Sequence, residues 1–380
     1  MDSELSEDAA ALIETTRKMV KDLLPYEPEF QRSDKVPEEV LKVFRDNGFF
    51  SLAFREENGG MGLGMLEICC IQAELAHLPV QFWADVKSSQ GPQTRIIEAF
   101  GTEAQRQATL PAVIAGDLVM AFCLSEPHCG SDVSAIRTSA ERKGDGWRLN
   151  GYKTYVSNGI KARQAVVAAY TDRSKGAKDG ISLFLVPADA PGYKLAGILE
   201  LMGHHTPGVA ELAFDEVELP AEALIGEEGK GLSYLMHGLN AGRLAIAGTA
   251  IGMGDLALEE ARLYAMERPA FGGTLSNFQA IQHMLADMAT EMRAARLLML
   301  DAAWRYDRGE VSRSLCAMAK LYCSEASCRT VDTALQIFGG AGYVRGQRVE
   351  RLYRDVRVTR IYEGASEIQK NTIARQMLRT

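Results

Sequence analysis

In Arg148-Leu149-Asn150-Gly151-Tyr152-Lys153-Thr154-Tyr155-Val156, tyrosine, threonine and valine follow an Asn-Gly turn signal, a composition that reads as strand rather than helix. Short runs of the same texture follow at Ala165 to Tyr170, Ile181 to Val186 and Ala210 to Phe214, between Gly, Asn and Asp turns. Together they predict a small antiparallel β domain. On either side of it the apolar spacing is helical. Before Leu118, Val40, Leu41, Val43 and Phe44, and again Leu66, Ile68, Cys69, Gln72 and Leu75, recur at helical intervals about a breaking Asn58-Gly59-Gly60. From Gly231 long helical patterns cover roughly 231–267, 277–307 and 313–337, and their length predicts a four-helix bundle. In the last of them Leu315, Met318, Ala319, Tyr322, Ala326 and Ala334 form the expected packing stripe, which makes Cys316 and Cys323 bundle packing and not ligands. The expected domains are 1–118 helical, 119–230 β and 231–380 helical bundle, an α+β chain in the order α, β, α.

Composition narrows the function. A chain of 380 residues holds two or three domains at about 150 residues each. Its 47% hydrophobic and 24% charged residues are globular usage. The net charge of −8, from 42 Lys plus Arg against 50 Asp plus Glu, has the wrong sign for a surface that wraps nucleic acid. The longest stretch free of charged side chains, Pro269 to Ala286, is too polar for a membrane span. The acidic start Met1-Asp2-Ser3-Glu4 and the absence of a lipidation signal lead to the expectation of a cytoplasmic protein. Seven cysteines without a CxxC unit argue for reduced, packed thiols and against a zinc site.

Familiar catalytic patterns are missing. Gly226 to Gly231 lacks the spacing of a phosphate loop, and Gly59 to Gly64 is not followed by a βαβ unit. The six histidines, 77, 128, 204, 205, 237 and 283, never pair at metal-binding intervals, and no GxSxG elbow occurs. Four stretches mix small, polar and aromatic residues where a polar cofactor can dock: Phe122 to Asp132, Gly151 to Gly159, Arg268-Pro269-Ala270-Phe271-Gly272 with Gln279, and Gln336 to Tyr343. Further along stands Arg354-Asp355 followed by Arg360-Ile361-Tyr362-Glu363-Gly364-Ala365-Ser366-Glu367-Ile368-Gln369.

In this order and spacing these stretches resemble the acyl-CoA dehydrogenase flavoproteins over nearly the whole chain. The resemblance implies the same three-part fold, bound FAD, an acyl-CoA substrate, a homotetramer, and an electron-transferring flavoprotein as acceptor. It places Glu363 as the carboxylate that takes the α-proton. The family's alternative site for that base, just before Arg243, is Gly242 here. By motif position Phe122, Leu124, Ser125, Gly130 and Ser131 should line the flavin and the thioester arm, with Tyr155 and Ser157 beside the isoalloxazine. Arg268, Phe271, Gln279, Gln336 and Gly340 should reach the flavin of a neighbouring subunit, with Ala365 and Glu367 also on the cofactor. Arg243, Tyr362, Gly364 and Ser131 are the expected substrate contacts. Three departures stand out: Tyr155 replaces the commoner Trp, His128-Cys129 replaces two small residues, and Glu367 stands where Gln is usual.

The chemistry explains why such a set is needed. A thioester α-proton is weakly acidic, so its removal needs a carboxylate raised toward neutrality by desolvation, and a β-hydride needs an acceptor that side chains do not supply. The acyl group is less legible. Lys87 or Arg95, in the polar segment Lys87 to Ile97, holds a polar acyl end, or both reach solvent or pair with Glu98. An oxidase, an enoyl-CoA-reducing or carrier-protein-specific relative, and a non-catalytic acyl-CoA-binding subunit are the rival readings.

Overall fold

The computed structural model describes residues 5–33, 35–204 and 208–378; the acidic start and His205 lie outside them. Helices α1 (Glu7–Leu23), α2 (Glu27–Ser33), α3 (Glu38–Asp46), α4 (Met65–Leu75), α5 (Ala84–Ser89), α6 (Pro92–Phe100) and α7 (Glu103–Ile114) precede the strands. The β segment holds β1 (Met120–Cys123), β2 (Ser139–Lys143), β3 (Gly146–Ser157), β4 (Gln164–Tyr170), the short α8 (Gly176–Gly180), β5 (Ile181–Pro187), β6 (Tyr193–Leu199) and β7 (Val209–Leu219). Then come α9 (Gly231–Glu267), a hairpin of β8 (Pro269–Ala270) and β9 (Gly273–Thr274), α10 (Gln279–Asp307), α11 (Arg313–Phe338), α12 (Arg348–Val356) and α13 (Ser366–Met377). Among the described residues no helix is long and apolar enough to cross a membrane.

These elements pack as two compact units, one gathering the chain up to Pro37, Gly64–Val80 and everything from Asn240, the other Glu38–Leu63 and Gln81–Leu239. In the second, the sheet runs β1-β4-β2-β3-β7-β6, with β5 also paired to β4. It is antiparallel except that β1 and the end of β2 lie parallel to β4; the β2–β3 hairpin between β1 and β4 acts as the crossover that a parallel pair needs. Both faces of β4 are covered: Ala165, Val167 and Ala169 pack with Trp147 and Phe184, while Val166, Ala168 and Tyr170 pack with Phe54, Ile96 and Leu183. That is why β4 reads as an unbroken apolar run.

In the first unit, small residues let helices close on each other. A Cβ on Gly252 of α9 would stand 2.0 Å from the Ala73 carbonyl oxygen of α4, and one on Gly248 would stand 2.5 Å from that of Cys69, so these helices meet at a distance only glycine allows. Asp307, at the end of α10, accepts hydrogen bonds from the Met65 and Leu66 amides at 2.6 and 2.9 Å, which satisfies the orphan donors of the α4 N-terminus. Along α11 the buried face is Cys316, Ala319, Lys320, Cys323 and Ala326. The expected stripe is therefore slightly rotated: Tyr322 faces outward, because the smaller cysteine and alanine side chains permit closer helix approach.

Candidate functional site

The last turn before α13 has the most constrained chemistry in the first unit. Glu363 adopts φ +54° and Gly364 φ +96°, a left-handed pair that costs a non-glycine residue conformational energy and persists only where its surroundings enforce it. Two buried side chains do so. Gln369 of α13 donates through Nε2 to the carbonyls of Glu363 (3.1 Å) and Gly364 (2.8 Å), and Lys320 of α11 donates through Nζ to the Gly364 carbonyl at 2.9 Å. The Glu363 carboxylate is half-buried and lies against α9 where that helix has no side chain: a Cβ on Gly242 would stand 2.8 Å from its Oε2. Arg243, one residue on, is buried and donates to Asn240 Oδ1 at 3.0 Å. Burial pulls Arg243 below its usual value and Lys320 down to about 8, and the negative charge of Glu363 opposes both shifts. Tyr362 is pushed up by burial and by Glu363. Arg360 is engaged by Glu325 at 2.8 Å, whose Oε1 also accepts from Ser366 Oγ at 2.6 Å.

In the second unit, the loop after β1 is organised by a buried ion pair. Lys153 of β3, fully buried, lies 2.8 Å from Glu126 Oε1 and donates to the Leu124 carbonyl at 3.0 Å. Glu126 also accepts from Thr138 Oγ1 (2.7 Å), Thr138 N (3.0 Å) and Arg137 N (2.6 Å). Burial disfavours its charge, but Lys153 and these donors outweigh that and hold the carboxyl below the usual range. The Thr154 amide donates to the Ser125 carbonyl at 3.0 Å, which ties β3 to this loop beside Tyr155. Tyr155 sits where the β3–β7 register slips, at φ +56° and 67% exposed. Phe122 and Leu124 are half-buried, while Gly130, Ser131 and Ser157 are exposed. Among the described residues the trio Glu126, His128 and Cys129 brings ligand atoms within 4.8 Å of one another. Glu126 is already committed to Lys153, and burial with the Glu126 charge raises the Cys129 thiol, so a thiolate is disfavoured there.

The remaining expected residues cluster about the β8–β9 hairpin. An open cleft of about 560 Å³ is lined by Arg268, Phe271, Phe338, Gly339 and Gly340, among others. Phe271 is 98% exposed at φ +48°, and a Cβ on Gly339 or Gly340 would meet nothing within 4 Å. Among the described residues Arg268 has no ion-pair partner. An unpaired guanidinium, an exposed ring and open backbone fit a diphosphate joined to an aromatic group, as FAD is. Gln279 opens α10 and Gln336 lies in the last turn of α11, both exposed. Ala365 precedes α13 and accepts from the Ile368 and Gln369 amides, and Glu367 is exposed in its first turn.

Just past the polar segment, Glu98 accepts from Arg55 N and Asn58 Nδ2 at 2.9 Å each. Arg95 donates to the Gln90 carbonyl at 3.1 Å, and Lys87 lies 5.8 Å from the centre of the Trp83 ring. Sequence reasoning passed over Lys320, Gln369 and the Glu126–Lys153 pair. The available signal was a lysine four residues from Cys316 and from Ser324, on a helix face otherwise made of small residues.

Comparison with known proteins agrees with this layout. The chain matches the acyl-CoA dehydrogenase N-terminal domain over residues 6–117, the middle domain over 121–217 and the C-terminal domain over 229–378. It is 38% identical to the human mitochondrial short-chain specific acyl-CoA dehydrogenase, over 99% of this chain and 92% of that one. Its fold superposes on butyryl-CoA dehydrogenase from Megasphaera elsdenii with a TM-score of 0.94 and 33% identity, covering all of both chains. A glutaryl-CoA dehydrogenase from Mycobacterium smegmatis in complex with FADH2 gives 0.91 and 30% identity, over 98% of this chain and 95% of that one.

Proposed function

The chain belongs to the acyl-CoA dehydrogenase family, FAD-dependent oxidoreductases acting on CH–CH groups, and we propose that it converts a saturated acyl-CoA to the 2-enoyl-CoA with Glu363 as the base. The observation that carries this reading is the left-handed turn at Glu363, held by Gln369 and Lys320 with its carboxylate over the bare Gly242 position. A carboxylate on a strained backbone turn, whose carbonyls are held by two buried donors, and facing a position without a side chain suits the removal of a proton better than it suits packing.

Bound FAD supplies the acceptor for the β-hydride. The protein's own part is to hold the thioester, take its α-proton on a Glu363 carboxylate oxygen and stabilise the charge that develops on the thioester oxygen. The Glu363 backbone N–H is the donor we assign to that oxygen. Phe122, Leu124, Ser125, Gly130, Ser131, Tyr155 and Ser157 would hold the flavin, and Arg268, Phe271, Gln279, Gln336 and Gly340 would reach the flavin of a second copy, in a homotetramer. Ala365 and Glu367 complete the cofactor contacts, and Arg243, Tyr362 and Gly364 bind substrate with Ser131. The short-chain and butyryl-CoA relatives favour a short acyl chain, and an electron-transferring flavoprotein is the proposed acceptor. Free thiols at all seven cysteines suit a reducing, cytoplasmic setting.

The test is anaerobic addition of butyryl-CoA to the yellow protein. Flavin bleaching with formation of the enoyl thioester is expected, and under air little peroxide per turnover. No bleaching with any saturated acyl-CoA contradicts the activity, and stoichiometric peroxide makes the protein an oxidase.

A further inference from the structure

Lys320 is fully buried, and burying an ammonium costs several kcal/mol, by order of magnitude, unless a negative charge and hydrogen bonds offset it. It donates to the Gly364 carbonyl, 2.9 Å away, on the residue after Glu363. The charged and titratable groups that act on it are Glu363 from the turn, Arg243 from α9, and Glu325 and Cys328 from its own helix; of these Glu363 has the largest effect. Glu325 is already committed to Arg360 and Ser366, Arg243 is a like charge, and the Cys328 thiol is raised by burial. α13 contributes the neutral Gln369, which shares the Gly364 carbonyl with Lys320.

From this arrangement we infer that Lys320 is a positioning residue for the reaction: its ammonium locks the left-handed turn that presents Glu363 by holding the Gly364 carbonyl, and sets a positive charge beside the turn that carries the carboxylate. The inference rests on Glu363 being the base. Lys320 touches neither substrate nor cofactor in this scheme; it acts through Glu363. Burial lowers Lys320 and the Glu363 charge opposes that shift, so the ammonium and the carboxylate favour each other's charged forms. Without the ammonium, the carboxylate keeps its proton to higher pH and fewer molecules are competent to accept the α-proton.

The experiment is the pH dependence of flavin reduction by butyryl-CoA in the FAD-loaded wild type and in Lys320→Met, Lys320→Gln and Lys320→Arg, alongside melting temperature and FAD content. In the Met variant the acid limb should move up by ~1 pH unit, which at mildly acidic pH is ~10-fold in rate, while KM changes by less than about 3-fold. Lys320→Gln keeps a donor and loses the charge, so it should shift the limb similarly if Met weakens the bundle. Lys320→Arg should restore the wild-type limb. An unmoved limb in both neutral variants, with only a lower melting temperature, makes Lys320 structural and overturns the inference. Glu363→Gln separates the two failures. If the limb persists there, Glu363 is not the group that titrates and the base assignment itself falls. If it disappears there yet stays put in the Lys320 variants, only the Lys320 inference falls.

Discussion

Glu363 and Gly242 form one device. The carboxylate occupies the space where a side chain on α9 would begin, 2.8 Å from a built Cβ, so Gly242→Ala must push the carboxylate aside. The far end of a glutamate moves cheaply, and alanine favours a helix interior by about 0.5–1 kcal/mol over glycine; stability should hold or rise slightly. Flavin reduction should nevertheless slow ~10–100-fold, because ~1 Å of displacement at a reacting group costs that much. Chemical denaturation and stopped-flow reduction of the same variant check both halves, and an unchanged rate would remove Gly242 from the site. Glu363 could be singled out as a candidate in the sequence because Tyr-Glu-Gly sits in a recognisable run. Lys320 could not, since one lysine inside an apolar helical pattern looks like a solvent-facing residue until the neighbouring turn is in place.

Among the elements, helices declare themselves best. The pattern over 231–267 coincides with α9, and the start expected at 277 fell two residues short of α10 only because Leu275–Asn277 forms a 3-10 turn. Strands β1, β2 and β6 of the sheet escaped notice, the first and last for opposite reasons. β1 is four mostly buried residues with no alternation, and β6 exposes Leu195 and Ile198 on a sheet edge. The β1–β3 junction depends on a feature that no periodicity shows, the buried Glu126–Lys153 pair. Glu126→Gln leaves Lys153 buried without its counter-charge and should cost about 3–5 kcal/mol. Because the Glu126 carboxyl is held below its unfolded value, its contribution is present above that value and is lost as pH falls through the folded one. Urea midpoints of wild type and variant should therefore converge at acid pH; a constant gap would show that the pair is not the cause.

For the molecule as a whole, Phe271, 98% exposed, leaves the Arg268 cleft lined by aromatic surface that a single copy does not cover. If a second copy completes the flavin site there, dilution that dissociates the oligomer should release FAD in step. Sedimentation of a monomer with full FAD would contradict that arrangement. The order of helical, β and helical segments was readable from periodicity alone, whereas the two compact units, each gathered from distant parts of the chain, depend on long-range packing that local patterns do not encode. The proposed reaction turns on one proton transfer, and anaerobic stopped-flow reduction of Glu363→Gln by butyryl-CoA tests it most directly. The variant keeps shape and hydrogen-bonding capacity, so FAD and acyl-CoA should still bind, while flavin bleaching slows by ~10²–10⁴ or more. Bleaching at the wild-type rate would contradict Glu363 as the base.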